Sequence, residues 1–366
     1  LMGLMTVLWA IYGYSLAFGG DNAYIGKGDY VLMQNVQRTF NEEKGEPQTP
    51  MEGDIPRYTH MLFQGMFFII TPALICGAFA ERMKFSAMVL LNVLWGTFVY
   101  CTLFGLDTSF LHGSLDFAAG TVVHISSCVS ALICALVLGP RLGFGQDDMR
   151  PHNLTYTAIG AGMLWVGWFG FNAGSELRSD GLAASAFAVT HFSAAAGVLA
   201  WAGYEWLKYG KPSVLGAASG AVAGLVCITP AAGFVQPWHA LVMGAAAGVV
   251  CAVACGTVKK AFGYDDSLDA FGVHGVGGTL GAILTGVFAT RAAWNVDNGE
   301  PLGLLENGGI MPGQVAAVGV TSLFSIIATF VILKIVEFAV GLRVAEREEI
   351  RGLDISEHDE EGYILF

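Results

Sequence analysis

Apolar runs of about 20 residues recur along almost the whole chain, and they restrict its fold more than any other feature. A run of that length crosses the hydrocarbon core of a bilayer as a helix, whose backbone polar groups are satisfied within the segment. With 54% hydrophobic and only 13% charged residues, the composition argues against a soluble enzyme. We predict an all-α polytopic membrane protein, with one transmembrane domain over residues 1–342 and a tail over residues 343–366. The ten predicted spans are 1–18, 59–80, 85–104, 117–139, 154–174, 182–207, 213–233, 238–258, 270–290 and 312–342.

Lys and Arg are distributed unequally between the loops that join these spans. If every second loop is taken together, that set contains only Arg178 and Arg291 as basic residues, apart from those in the long segment 19–57. The excess of Lys and Arg predicts orientation less well for such a long segment. The remaining loops and the tail contain Arg82, Lys84, Arg141, Arg150, Lys208, Lys211, Lys259, Lys260, Arg343, Arg347 and Arg351. Because short basic loops stay on the cytoplasmic side, we predict that this set and the C-terminus are cytoplasmic, in a cell (inner or plasma) membrane.

Two of the histidines inside the predicted spans form a matched pair, because each comes a few residues after an aspartate: His124 after Asp116, and His274 after Asp269. An ionisable side chain in the hydrocarbon zone is costly, so such residues usually face a cavity and mark a path for substrate or protons. Neutral imidazole is both a donor and an acceptor, so two facing rings can share a hydrogen bond and form a proton relay. Two histidines without further ligands fall short of a zinc site, and we predict no metal and no cofactor.

The histidines also suggest an internal repeat. The segment 154–290 contains five spans with His274 in the fifth, whereas the preceding part contains four spans with His124 in the fourth. Inverted repeats place equivalent helices at equal positions, so we predict inverted five-helix repeats with one helix missing at the N-terminus, about ten spans of an eleven-helix fold. The chain also begins with Leu in apolar sequence, as expected of a truncated chain.

Several motifs resemble those of ammonium transporters, on the Amt side of the Amt/Rhesus family, in the same order and over nearly the whole chain. They lie at residues 8–18, 77–82, 116–124, 167–175, 269–275, 341–344 and 352–354. The resemblance implies an eleven-helix fold with an outward N-terminus, a homotrimer, and transport of ammonium or ammonia across the bilayer. It implies no enzymatic activity, and the motifs of intramembrane proteases do not occur in the sequence.

The resemblance also assigns roles to individual residues. It places His124 and His274 as twin histidines that line a narrow apolar pore and relay protons. Phe67 and Phe171 correspond to two stacked phenylalanines that close the pore from outside and help to recruit ammonium. The other residues implied in recruitment are Asp116, Ser175 and Gln64, while Asp269 is expected to support the N-terminus of its helix through the helix dipole.

One segment departs from the family pattern. The family carries a Trp after its fourth helix that completes the cation cage, and the segment 100–116 lacks it. Phe104, Phe110 and Trp238 are the alternatives for this position. The departure keeps a second function open, an ammonium sensor on the same scaffold with little or no transport, although the short tail favours a transporter.

The tail is expected to be regulatory. It contains eight acidic and three basic residues, which argues against nucleic acid as a partner. We predict that it packs on the cytoplasmic loops, pairing with Lys259, Lys260, Arg141 and Arg150. In the resembling family a trimeric nitrogen-signalling protein, P-II, blocks the pore at this surface, which makes P-II a candidate partner.

Overall fold

The computed structural model describes residues 1–20, 24–106, 113–294 and 299–362. Within these residues, ten long helices coincide with the ten predicted spans. They are α1 (Met2–Phe18), α2 (Arg57–Phe79), α3 (Phe85–Phe104), α4 (Gly120–Leu138), α5 (Leu154–Ala173), α6 (Gly181–Tyr209), α7 (Val214–Ala231), α8 (Pro237–Phe262), α9 (Phe271–Phe288) and α10 (Met311–Val340). Two short helices follow in the tail, α11 (Glu346–Arg351) and α12 (Leu353–His358).

Eight of the helices in the described part of the chain are long and apolar enough to cross a membrane; the other two are the shorter α1 and the less apolar α5. The observed ends differ from the predicted ends by a few residues. Helix α4 begins at Gly120 rather than 117, because Ala119 has a φ of 62° and interrupts the helix. Helix α8 continues to Phe262 beyond the predicted end at 258. The helical membrane fold predicted from the sequence is thus confirmed, with a helix at each of the predicted spans.

The segment between α1 and α2 folds into two small antiparallel hairpins that were not predicted. Strand β1 (Thr39–Asn41) pairs with β2 (Glu46–Gln48), and β3 (Met51–Glu52) pairs with β4 (Ile55–Pro56). Ser15 of α1 anchors the start of this segment, since its hydroxyl donates to the carbonyl of Lys27 and accepts from the amide of Tyr30. We refer to this end of the bundle as the hairpin face, and to the opposite end, which carries the tail, as the tail face.

Helices α6, α7 and α8 pack closely against one another. Gly224 of α7 and Gly244 of α8 both face the backbone of Ser193 in α6, where a Cβ on either glycine would overlap it. The Ser193 hydroxyl donates to the carbonyl of Gly224 at 2.7 Å. Small residues therefore allow these three helices to approach to backbone contact, as in many membrane bundles.

In the other half, α4 packs against α2 and α10. The indole nitrogen of Trp95 donates to the hydroxyls of Ser130 and Thr329 at 3.0 and 3.1 Å, which joins α3, α4 and α10 in the core. Helix α10 leaves large apolar side chains such as Leu323 and Phe338 exposed. In a membrane protein such a surface faces lipid, so the exposure carries no desolvation cost.

At the tail face, three loops are joined by ion pairs. Arg141 donates to both carboxylate oxygens of Asp265 at 2.9 Å and to Glu81 at 2.7 Å. Burial alone would raise the pKa of Asp265, but the hydrogen bonds from Arg141 and the charges of Arg141 and Arg82 lower it below the ordinary value. The loops that follow α2, α4 and α8 are thereby held together.

The tail packs on these loops, but not through the predicted ion pairs. Arg343 pairs with Glu349 at 2.8 Å, and Glu349 also accepts from the amide of Leu142 at 2.9 Å. The amide of Val344 donates to the carbonyl of Arg82, and Glu357 accepts from the amide of Phe85. Three of the four predicted partners are engaged elsewhere: Lys259 pairs with Asp269, Arg141 with Asp265, and Arg150 with Asp148.

Candidate functional site

Both histidines lie in a π-helical turn at the start of their helix. His124 is in the turn Gly120–Ile125 of α4, and His274 is in the turn Phe271–Gly275 of α9. Such wide turns are rare and often occur at functional sites, because they displace a side chain from its regular helical position. A left-handed residue comes shortly before each turn, Ala119 with φ 62° and Asp269 with φ 57°.

A carboxylate caps each of these turns. Asp116 accepts from the amides of Gly120 and Thr121 at 2.6 and 2.7 Å, and from the Thr121 hydroxyl at 2.5 Å. Asp266 accepts from the amide of Phe271 at 2.7 Å. Asp116 lies eight residues before His124, and Asp266 lies eight residues before His274. The two halves therefore use the same device, a carboxylate on the free amides of a helix N-terminus.

The expected role of Asp269 was therefore wrong. Asp269 pairs with Lys259 at 2.9 Å, and the neighbouring Asp266 caps the helix. Asp266 is fully buried, and its Oδ1 has no hydrogen-bond partner within the described residues. Burial raises the pKa of Asp266. The equal spacing of eight residues in the sequence could have identified this pair.

The two histidine rings meet near the middle of the bundle. Nδ1 of His274 and Nδ1 of His124 are 3.3 Å apart, and the ring centroids are 5.3 Å apart. The side chains are almost fully buried, with 1% of His124 and 9% of His274 exposed. At this distance one ring donates to the other, and His124 Nε2 has no partner among the described residues.

Aromatic rings connect this pair to the hairpin face. Phe63 packs on Phe67 at 5.0 Å between centroids, and Phe67 packs on Phe171 at 4.6 Å. Phe171 stacks on His124 at 5.7 Å with only 14° between the planes. Trp168 stacks on both Phe171 and His124, at 5.1 and 5.4 Å. The rings form one continuous series of contacts that ends at the histidines.

The predicted polar residues differ in their surroundings. The Ser175 hydroxyl donates to the carbonyl of Phe171 at 2.7 Å, so its oxygen lone pairs stay available to accept. Gln64 is half-buried, on α2 between Phe63 and Phe67. Asp116 directs its three hydrogen bonds at the start of α4, which fixes the turn that carries His124.

Two alternatives for the missing aromatic lie in other clusters. Phe104 packs against Phe18 at 4.8 Å and Tyr100 at 5.9 Å. Trp238 packs against His239 and Phe288. Phe110 lies outside the described residues.

The ring beside Phe67 is instead Phe63, which sequence reasoning missed. It lies one helical turn before Phe67 on the same face of α2, a spacing that could have pointed to it.

The side chains that could bind a metal ion are not clustered in the described part of the chain. No group of three or more His, Cys, Asp or Glu side chains there is arranged to hold a metal ion. The site consists of two imidazoles in contact, a wall of aromatic rings and capped helix ends. Such a site can hold and orient a small polar molecule and pass protons between imidazoles.

The chain is similar to known proteins over nearly its whole length. The family model described as Ammonium Transporter Family matches residues 1–363. The ammonium transporter of Bacillus subtilis is 44% identical over 367 residues, which cover 99% of this chain and 88% of that protein. Ammonium transporter Amt1 of Archaeoglobus fulgidus is 42% identical over 366 residues, 98% of this chain and 88% of that protein.

Solved structures have the same fold. The crystal structure of Candida albicans Mep2 matches with a TM-score of 0.84 at 30% identity, covering 95% of this chain and 77% of that chain. A structure described as a sensor Amt protein matches with a TM-score of 0.83 at 24% identity, covering 98% of this chain and 87% of that chain. The second likeness shows the fold alone.

Proposed function

This chain belongs to the ammonium transporter family, and on that premise we propose that it carries ammonium or ammonia across a membrane through a pore at His124 and His274. The observation that carries the proposal is the direct contact of the two imidazoles, Nδ1 to Nδ1 at 3.3 Å, at the end of a series of aromatic rings. The relatives at 42 to 44% identity are named transporters, and we propose no enzymatic activity.

Recruitment of ammonium takes place at the hairpin face. The faces of Phe67 and Phe171 attract a cation, and the Ser175 oxygen accepts one of its N–H groups. Gln64 adds a polar side chain to the vestibule, while Asp116 fixes the adjoining turn and favours a cation nearby. Ammonium is thereby distinguished from potassium, which has no hydrogen-bond donors.

Deprotonation follows because the pore is too dry for a charge. Phe67 and Phe171, 4.6 Å apart, act as a gate that excludes hydrated ions. A charge that loses its water in an apolar site is strongly disfavoured, so ammonia passes in neutral form. The proton moves separately along His124 and His274, since each imidazole both donates and accepts; transport is then accompanied by a current.

The assembly and orientation are also proposals. We infer a homotrimer in the cell membrane, with the tail face cytoplasmic according to its content of Lys and Arg. Gly160, Gly167 and Gly170 lie on one face of α5 with no neighbour within reach of an added Cβ, which leaves room for a helix of another subunit. At the tail face a cavity of about 610 Å³, between residues 140–146 and the start of the tail, is the candidate site for P-II.

Uptake of labelled methylammonium into proteoliposomes, with current recorded in parallel, tests the proposal. We expect uptake and current that potassium does not compete away, and a loss of the current in His124→Ala and His274→Ala. His191→Ala is the matched control, because His191 is exposed on α6 and its ring contacts are with Trp165 and other aromatics outside the site.

The same assay separates the alternatives. Ammonium binding without any flux in the wild type would contradict transport and favour a sensor. Flux without current would show a neutral ammonia channel and would contradict the proton relay. Wild-type current in either histidine variant would also contradict the relay.

A further inference from the structure

The indole of Trp168 forms one wall of the histidine pair. Its plane is tilted by 19° from the ring of His124 and by 24° from the ring of His274, with centroids 5.4 and 6.4 Å away. The side chain is 4% exposed. A rotation of this ring would therefore open a gap beside both imidazoles.

The indole has one polar atom, and Thr229 holds it. The Trp168 Nε1 donates to the Thr229 hydroxyl at 2.8 Å, and that hydroxyl donates to the carbonyl of Leu225 at 2.8 Å. Thr229 is fully buried. Because its proton is already used within α7, the oxygen is fixed as an acceptor aimed at the indole.

The next residue of the same segment supports the Asp116 turn. The carbonyl of Pro230 accepts from the amide of Phe117 at 3.0 Å. The Pro230 ring lies directly against Gly120, where an added Cβ would meet it at 2.7 Å. The segment thus touches both the wall of the site and the turn that carries His124.

We propose that Thr229 is a positioning residue for transport, acting through the indole of Trp168. The inference rests on the proposed function. Without the hydroxyl, the indole N–H is left unpaired in a dry site, and the ring turns to find another acceptor or a water molecule. The wall beside His124 and His274 then opens, which lowers ammonia passage and admits water.

Thr229→Val removes the hydroxyl at nearly constant volume, and Thr229→Ser keeps it. We expect Thr229→Val to lower methylammonium uptake about tenfold, the factor that corresponds to about 1.4 kcal/mol, and Thr229→Ser to stay within about twofold of the wild type. Thr285→Val is the matched control, since Thr285 is equally buried and donates to the Gly281 carbonyl of its own helix.

A spectroscopic signature separates positioning from packing. In protein labelled with ¹⁵N at the indoles, the Trp168 resonance is assigned by its loss in Trp168→Phe. We expect that resonance to shift in Thr229→Val and to stay in place in Thr285→Val. In the Trp168→Phe background, adding Thr229→Val should cause no further loss of uptake, because the bonded N–H is already absent.

The outcomes of the two proposals can be told apart. A wild type without uptake contradicts the proposed function, whereas the resonance still reports on the Thr229 bond. A wild type that transports, with Thr229→Val equal to Thr285→Val in uptake and spectrum, overturns only the role of Thr229. Equal losses on adding Thr229→Val to the wild type and to an active Trp168→Phe protein would likewise overturn it.

Discussion

Asp116→Asn should impair transport much more than Asp266→Asn, although the two carboxylates cap equivalent turns. Asp116 serves two backbone amides, one on each oxygen, and a hydroxyl. An asparagine has a single acceptor oxygen, so one amide would face an NH₂ group. Asp266 accepts from the amide of Phe271 through one oxygen, which an asparagine can still supply.

The expected losses of transport follow from the number of hydrogen bonds that each carboxylate accepts. Asp116→Asn loses a charge-assisted hydrogen bond and leaves an amide unpaired, which costs about 2 kcal/mol. If the whole cost falls on transport, the uptake rate drops about 30-fold. Asp266→Asn keeps the bond to Phe271 and loses mainly the charge at a helix N-terminus, about 1 kcal/mol, or about fivefold in the uptake rate. Asp269→Asn breaks a partly exposed pair with Lys259 that is worth about 0 to 1 kcal/mol.

Initial rates of methylammonium uptake should be compared at matched reconstitution. Binding of the substrate to the detergent-solubilised variants separates a recognition defect from a pore defect. An Asp266→Asn loss equal to or larger than that of Asp116→Asn would refute the reasoning from acceptor number. An Asp269→Asn loss as large as that of Asp116→Asn would refute the assignment of Asp266 as the cap.

Three further expectations concern the pore and the tail face. Replacing His124 or His274 by Ala should abolish the current without lowering the melting temperature by more than about 3 °C, whereas unfolding of both variants would make the pair structural. Asp265→Asn should lower the melting temperature. Because the pKa of Asp265 is lowered in the folded state, the difference in melting temperature between the wild type and this variant should be complete above about pH 5 and shrink as the pH falls below about 4. A difference that stays constant at all pH values would contradict the pairing with Arg141. Glu349→Gln should increase proteolysis of the tail and change activity, and unchanged cleavage and flux would leave the tail without a regulatory role.

The membrane fold was readable from the chain because it depends on length and polarity along the sequence. A bilayer requires about 20 apolar residues for each helix, and each predicted span coincides with a helix, from Met2–Phe18 to Met311–Val340. The exact ends of the helices depend on local backbone conformation. The start of α4 at Gly120 follows one left-handed residue, Ala119, and the amide of Phe117 just before it donates to the carbonyl of Pro230, which belongs to another helix.

The sequence by itself determined the two histidines and the family motifs, because an ionisable residue in an apolar run stands out without knowledge of its neighbours. The tertiary structure decided which aspartate caps the second turn, since Asp266 and Asp269 are both within reach along the chain and Lys259 binds one of them; the spacing of eight residues before each histidine was the one signal in the sequence that pointed to Asp266. The same holds for Phe63 beside Phe67 and for Thr229 beneath Trp168. Side chains from separate helices meet according to how the helices cross, which depends on packing across the bundle and not on the order of residues in any one helix.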